Sequence, residues 1–222
     1  MTTRRRAAAV SVALLAVVGA FVLGGQLLRP GTPSDTSPEA GFARDMQTHH
    51  DQAVEMALVV REKSSDPVLR SVAYDIATSQ SQQSGQMFAW LTQWGLTQTA
   101  SEPAMTWMAG GDDGHPGDHG GTATDATAGG ISSMLLPDGR MPGMASAADL
   151  ARLRAATGHD AEVLFLQLMV VHHRAGVVMA QAVEPRTPRP EVLTLARSIV
   201  SAQTSEIAQM DDLLAERGAS AA

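Results

Sequence analysis

Two stretches of this chain carry the same uncommon set of side chains. Met46, His49, His50 and Met56 recur in the same order and spacing as Met169, His172, His173 and Met179. Neutral imidazole nitrogen and thioether sulfur together suit a soft ion, above all Cu(I), with Ag(I) as its chemical mimic. Met46 precedes His49 by three residues and His50 by four, so on a helix either pair can chelate from one face. The plainer alternative makes His49 and His172 ordinary core groups, hydrogen-bonded to Gln80 and Gln203, with the methionines filling volume. A buried polar group without a partner costs about 1–3 kcal/mol, so either arrangement needs a satisfied network. The residue types alone leave the two open.

Enzymatic constellations are missing. A di-iron carboxylate site in a helical bundle needs Glu-x-x-His pairs, and the sequence contains none. A zinc hydrolase needs three ligands and an open position; His49, His50 and Glu206 could be forced into that role, but no His-Glu-x-x-His helix exists. Cys is absent, which removes thiolate metal sites, disulfides and a Cys nucleophile. No Gly-rich phosphate loop or Gly-x-Ser-x-Gly elbow is found. The expectation is a non-enzymatic binding protein, or else a metal-free helical adaptor of the cell envelope whose His/Gln layer only fixes register.

The elements that must position these groups follow from an internal duplication. Residues 42–95 align with 165–218 at a constant shift of 123, with 16 identities and no gap. Chance would give about four. In the first copy Phe42, Met46, His49, Ala53, Met56 and Val60 fall on one helix face. Ser64-Ser65-Asp66-Pro67 breaks that helix and starts another, which presents Leu69, Ala73, Ile76, Gln80, Gln83, Met87 and Trp90 and stops near Gly95. The second copy repeats the plan on either side of Pro185 to Pro190, with Gln203, Glu206 and Met210 on its returning helix. One hairpin cannot bury its own stripe, so the spacing predicts an all-α four-helix bundle of two hairpins. Equal distance from each turn sets His49 level with Gln80 and Gln83, and His172 level with Gln203 and Glu206, with Met87 and Met210 alongside. His50 and His173 lie about 100° round, at a helix seam.

The expected organisation is a signal anchor at 1–28, a linker at 29–38 and a bundle domain at 39–218. That domain divides into repeat 1 (39–95), a disordered or irregular crossover (96–148) and repeat 2 (149–218). Ala147 to Ala156 reads as a short helix, with Asp160 capping the next. The crossover holds Met105, Met108, Met134, Met141 and Met144 with His115 and His119, either a second, looser copper-capturing tract or chance loop composition. Arg4, Arg5 and Arg6 precede an apolar run from Ala7 to Leu28, long enough as a helix to span a hydrocarbon core. A single-pass transmembrane helix with the domain outside the cytoplasm is expected, or secretion to the periplasm or exterior after signal cleavage. Beyond residue 30, 12 basic residues face 23 acidic ones, a net −11 with Lys63 the only lysine. Such a surface repels phosphate backbones, which excludes nucleic-acid binding. The expected partners are a metal ion, the membrane through the N-terminal helix, and an unidentified copper donor or acceptor. Imidazole must be deprotonated to bind, so metal affinity should weaken below about pH 6.

Phe42-Ala43-Arg44-Asp45-Met46-Gln47-Thr48-His49-His50 running to Met56-Ala57, and Phe165 to His173 running to Met179-Ala180, resemble the domain-of-unknown-function family 305. Ser205-Glu206-Ile207-Ala208-Gln209-Met210 and Met141-Pro142-Gly143-Met144 look like features of the same family. The resemblance covers about residues 40–217 and implies a ferritin-like bundle exported from the cytoplasm; some members resemble periplasmic copper-binding proteins. By motif it implies Met46, His49, His50, Met56, Met169, His172, His173 and Met179 as ligands to Cu(I). Gln80, Gln83, Met87, Gln203, Glu206 and Met210 would surround them. Copper is not required for folding on this reading. The sequence departs from the pattern in its long Gly/Asp/His insert and in having Gln83 where the other half has Glu206.

Overall fold

The structure, a computed structural model, describes residues 31–109 and 134–221. The expected anchor at 1–28, His115 and His119 lie outside the described residues. All regular structure among them is helical. Helix α1 spans Pro38–Lys63 and α2 Pro67–Gln93; a short α3 covers Thr106–Ala109 and α4 Ala147–Ala155; α5 spans Gly158–Val183 and α6 Pro190–Glu216.

The helix ends have local causes. Ser37 caps α1 through the Ala40 N–H, and Asp66 caps α2 through the Val68 and Leu69 N–H groups. Ser146 and Asp149 close a reciprocal capping box on α4. Pro38, Pro67 and Pro190 each start a helix, where the missing N–H costs nothing. The repeat-related Gly95 and Gly218 follow α2 and α6 at φ 71° and 68°, a left-handed stop that other residues reach only with strain. Helix α5 starts at Gly158, two residues before the expected cap, and Asp160 falls instead in its first turn, where a carboxylate suits the helix dipole.

Helices α1 and α2 form one hairpin, α5 and α6 the other, and the two meet chiefly along α1 and α5. Gly158–Arg186 is long and apolar enough to cross a membrane, yet half of its most apolar stretch is buried in the bundle, as expected of a core helix. Arg217, beyond α6, holds Glu162 of α5 and Asp66 of the first turn, at 2.9 and 2.5 Å, and so ties the two hairpins together.

Of the crossover expected to be disordered or irregular over 96–148, the described flanks are mostly irregular and pack against the bundle. Trp107 lies on Gly41, where any Cβ would come within 2.4 Å of the indole, and meets Phe42 edge-on at 5.9 Å. Buried Asp45 accepts hydrogen bonds at one carboxylate oxygen from the Met105 N–H (2.7 Å) and the Trp107 Nε1–H (2.8 Å). On the other flank the Gln52 amide makes a paired bond to the Ala145 backbone, and Gly143 (φ 79°) lies against α5, where a Cβ would run into the Ala175 Cβ and the Val171 carbonyl. The Met141–Ala145 turn therefore straps α1 to α5 beside the histidines.

Candidate metal centre

The core divides in two. One apolar cluster, toward the α1–α2 turn, contains Met56, Met169 and Met210 among Val60, Leu69, Ile76, Phe165 and Leu214. The other contains Met46, Met87 and Met179 among Phe42, Leu91, Val192 and Ile199. The 123-residue repeat exchanges these two sets of methionines. Between them lies a polar layer of His49, His50, Gln80, Gln83, His172, His173 and Gln203, all buried, with Glu206 at its edge. All four imidazoles are fully shielded from solvent.

His49 and His172, at the α1–α5 contact, stack with ring centroids 3.6 Å apart and planes 27° from parallel. His50 and His173 turn outward to the returning helices. Gln83 Oε1 accepts from His50 Nε2 at 2.7 Å, and Glu206 Oε2 accepts from His173 Nε2 at 2.8 Å. Those bonds place the ring protons on Nε2 and leave each Nδ1 with a free lone pair. A ligand imidazole held through its other nitrogen by an oxygen acceptor is the usual way a metal-binding ring is oriented.

Hydrogen bonding in the layer does not follow the plainer of the two arrangements the sequence left open. Gln80 and Gln203 are not the partners of His49 and His172; the bonds run from His50 to Gln83 and from His173 to Glu206. Both ring nitrogens of His49 and His172, Nδ1 of His50 and His173, and both amide atoms of Gln80 and Gln203 have no hydrogen-bond partner among the described residues. Those ten atoms are all but two of the buried side-chain polar atoms so placed. Natural cores satisfy most such atoms, which makes this concentration chemically informative. Gly176 contributes directly: a Cβ there would lie 2.4 Å from Gln203 Oε1, so the missing side chain is what admits the amide.

Burial holds the His49 and His172 imidazoles well below their ordinary pKa, and the neighbouring imidazoles add to the effect. Burial pushes His50 down to about 4, against the opposing pull of its bond to Gln83. Near neutral pH these three rings are uncharged, the form that can donate a lone pair to a metal. The onset of proton competition at His50 therefore moves from about pH 6 down toward 4.

Of the eight residues implied as ligands, the structure gathers the four histidines into one layer, with Met46 and Met169 one helical turn away on opposite sides. Met56 and Met179 stand about 10 Å further along their helices from His49 and His172, too far to share an ion with those rings as the helices now lie. No group of three or more His, Asp or Glu side chains among the described residues is already arranged around a common point. Stacked rings direct their nitrogens side by side, so a shared ion requires His49 or His172 to turn. Sequence reasoning assigned no role to Asp45, Gln52, Gly41 or Gly143; of these only Pro142-Gly143 carried a local turn signal.

The family model described as "Domain of unknown function (DUF305)" matches residues 39–214. Similar solved structures include a candidate secreted DUF305 protein from Streptomyces coelicolor, 41% identical with TM-score 0.70, the match covering 85% of this chain and 99% of that one. A DUF305 fragment from Deinococcus radiodurans is 32% identical with TM-score 0.61, covering 84% and 99%. CopM in its Cu(I)-bound form shares the fold at 23% identity and TM-score 0.56, covering 81% and 96%. None of the curated protein sequences matches significantly.

Proposed function

The chain belongs to the DUF305 family, and from that premise we propose that it binds Cu(I) reversibly outside the cytoplasm, in storage, buffering or handover, without turning over a substrate. The observation that carries this reading is the layer of unpartnered imidazole and amide atoms, placed between two methionine-bearing clusters. Imidazole nitrogens with thioethers one turn away form a soft donor set, which favours Cu(I) over Zn(II), Mg(II) or Ca(II). His50 and His173 would offer Nδ1, with their Nε2–H groups held by Gln83 and Glu206. His49 and His172 would supply the inner pair, with Met46 and Met169 as the nearest sulfurs. Met56, Met87, Met179 and Met210 extend the thioether supply along the core.

The ion is cargo here. Helices α1 and α5 already pack through apolar clusters at both ends of the layer, so the bundle has a driving force to fold without copper. CopM, a structure of the same fold, has been solved with Cu(I), with Cu(II) and with silver, which supports the assignment of metal class. An exported location fits the acidic surface, the arginine-led apolar run at residues 7–28 and the secreted description of the Streptomyces relative. Tethering by an uncleaved N-terminal helix is part of the same proposal.

The test is a competitive Cu(I) titration against a chromogenic chelator, run on the purified protein and on a His49→Ala/His172→Ala variant that keeps its helical circular dichroism. Loss of competition in the variant supports the layer as the site. Equal competition by both proteins removes it.

A further inference from the structure

Beside the strap, on the face of α5 one turn beyond His172, lies an apolar cavity of about 270 Å³. Four of its seven lining residues are methionines, although methionine accounts for only 12 of 222 residues. They are Met105, Met108, Met134 and Met179, closed in by Pro142 and Val178. We propose that these four thioethers form a separate capture site for a soft monovalent cation, Cu(I) or Ag(I), distinct from the imidazole layer.

Volume filling accounts for only part of the arrangement. Met105 and Met179 are buried members of the core and would be explained by packing alone. Met108 and Met134 pack against the same cluster yet are only half-buried and border the cavity. The sulfurs are thus graded from a buried floor to an accessible rim, as an ion entering from solvent requires. No carboxylate, imidazole or amide side chain lines the cavity, so a hard cation finds no side-chain oxygen there. A soft ion needs none, because neutral thioethers bind it unaided.

One wall is held in place at an energetic cost. Met105 has φ 68°, a left-handed conformation found at no other described residue except glycine. Its N–H is fixed there by buried Asp45, which also anchors Trp107. Asp45 acts as a positioning residue: it sets the segment carrying Met105 and Met108 against Met179 of α5. Three of the four sulfurs come from the crossover and have no counterpart under the internal duplication, so the site belongs to one face only. Met179 stands about 10 Å along α5 from His172, and Ala175, which also lines the cavity, is only three residues beyond that histidine. The cavity therefore opens beside the deeper layer.

The site does not depend on the imidazole reading, and the experiment separates them. The full chain, labelled at methionine methyl carbons, is titrated with Ag(I) in chloride-free buffer, with silver per chain counted after desalting. The Met108 and Met134 methyl signals shift in the wild type and in the His49→Ala/His172→Ala variant alike. A Met108→Leu/Met134→Leu variant, which conserves volume and packing, retains about one silver ion fewer per chain. Unmoved Met108 and Met134 signals at saturation, or an unchanged silver count in the leucine variant, overturn the proposal. Loss of those shifts in the histidine variant overturns the claim that the two sites are separate.

Discussion

Asp45 should matter more to this fold than any acidic residue paired on the surface. A single carboxylate oxygen accepts both the Met105 N–H and the Trp107 Nε1–H, and all three residues are buried. Asp45→Ala leaves two buried donors without an acceptor, at about 1–3 kcal/mol each. Part of that is returned, because burial of the carboxylate is itself unfavourable and raises its pKa above the ordinary value. The net expectation is a loss of about 2–4 kcal/mol, a large fraction of a typical domain stability. Asp45→Asn behaves differently. An amide oxygen has two lone pairs and can accept both bonds without a buried charge, so the cost should stay within about 1 kcal/mol. The sign with pH follows from the raised value. Above 3.8 the unfolded chain has released a proton that the folded chain still holds, so Asp45's contribution to stability falls as pH rises to its folded-state pKa. The Asp45→Asn variant, with no proton to release at this position, lacks that dependence. Urea unfolding of the three proteins at neutral pH, with equal m-values as the check on two-state comparison, measures the differences. The reasoning is refuted if the alanine variant matches wild type, or if asparagine costs as much as alanine.

Other expectations follow from the same geometry. Because His50 is held at about 4 in the fold, the unfolded chain binds a proton that the folded one refuses between pH 6.5 and 4. That stability is complete above 6.5 and is lost as pH falls to about 4, by about 3 kcal/mol, with His49 and His172 adding in the same direction; a flat metal-free stability profile across this window contradicts the burial argument. Glu206→Gln should lower Cu(I) affinity at its half of the layer by about tenfold or more while leaving the melting temperature nearly unchanged, and an identical chelator-competition curve denies His173 Nδ1 its donor role. Gly41→Ala drives a Cβ to within 2.7 Å of three Trp107 carbons and should cost about 1–3 kcal/mol with a red-shifted tryptophan emission. Gly85→Ala, on α2 with open space around it, should instead gain up to about 1 kcal/mol; equal effects of the two in thermal unfolding would mean that the Trp107 seat is not rigid.

The bundle was legible because its signals are local and repeated. The stripe through Met46, His49, Ala53 and Met56, the break at Asp66-Pro67 and the stops at Gly95 and Gly218 all follow from helix periodicity and backbone preference, and the duplication doubled each signal. The level of the histidines followed from counting residues back from the turn. The pairing within that level did not. A shift of 100° around a helix decides whether His49 or His50 faces the returning helix, and a stripe read from sequence cannot resolve which seam closes. The seating of the crossover's flanks was not legible for a related reason. Its Gly/Asp composition resembles a linker, but Trp107, Gly41 and Asp45 are brought together only by tertiary packing, as are Gln52 and Ala145. Nothing in the spacing of Met105, Met108 and Met134 hints that a fourth sulfur, Met179, closes a cavity with them.

X-ray absorption at the copper edge of the Cu(I)-loaded protein reads the ligand atoms of the bound ion. The expectation is nitrogen and sulfur neighbours on the same bound copper. The nitrogen component should fall in His49→Ala/His172→Ala and the sulfur component in Met46→Leu/Met169→Leu. A spectrum that is the same in the wild type and the histidine variant would contradict it.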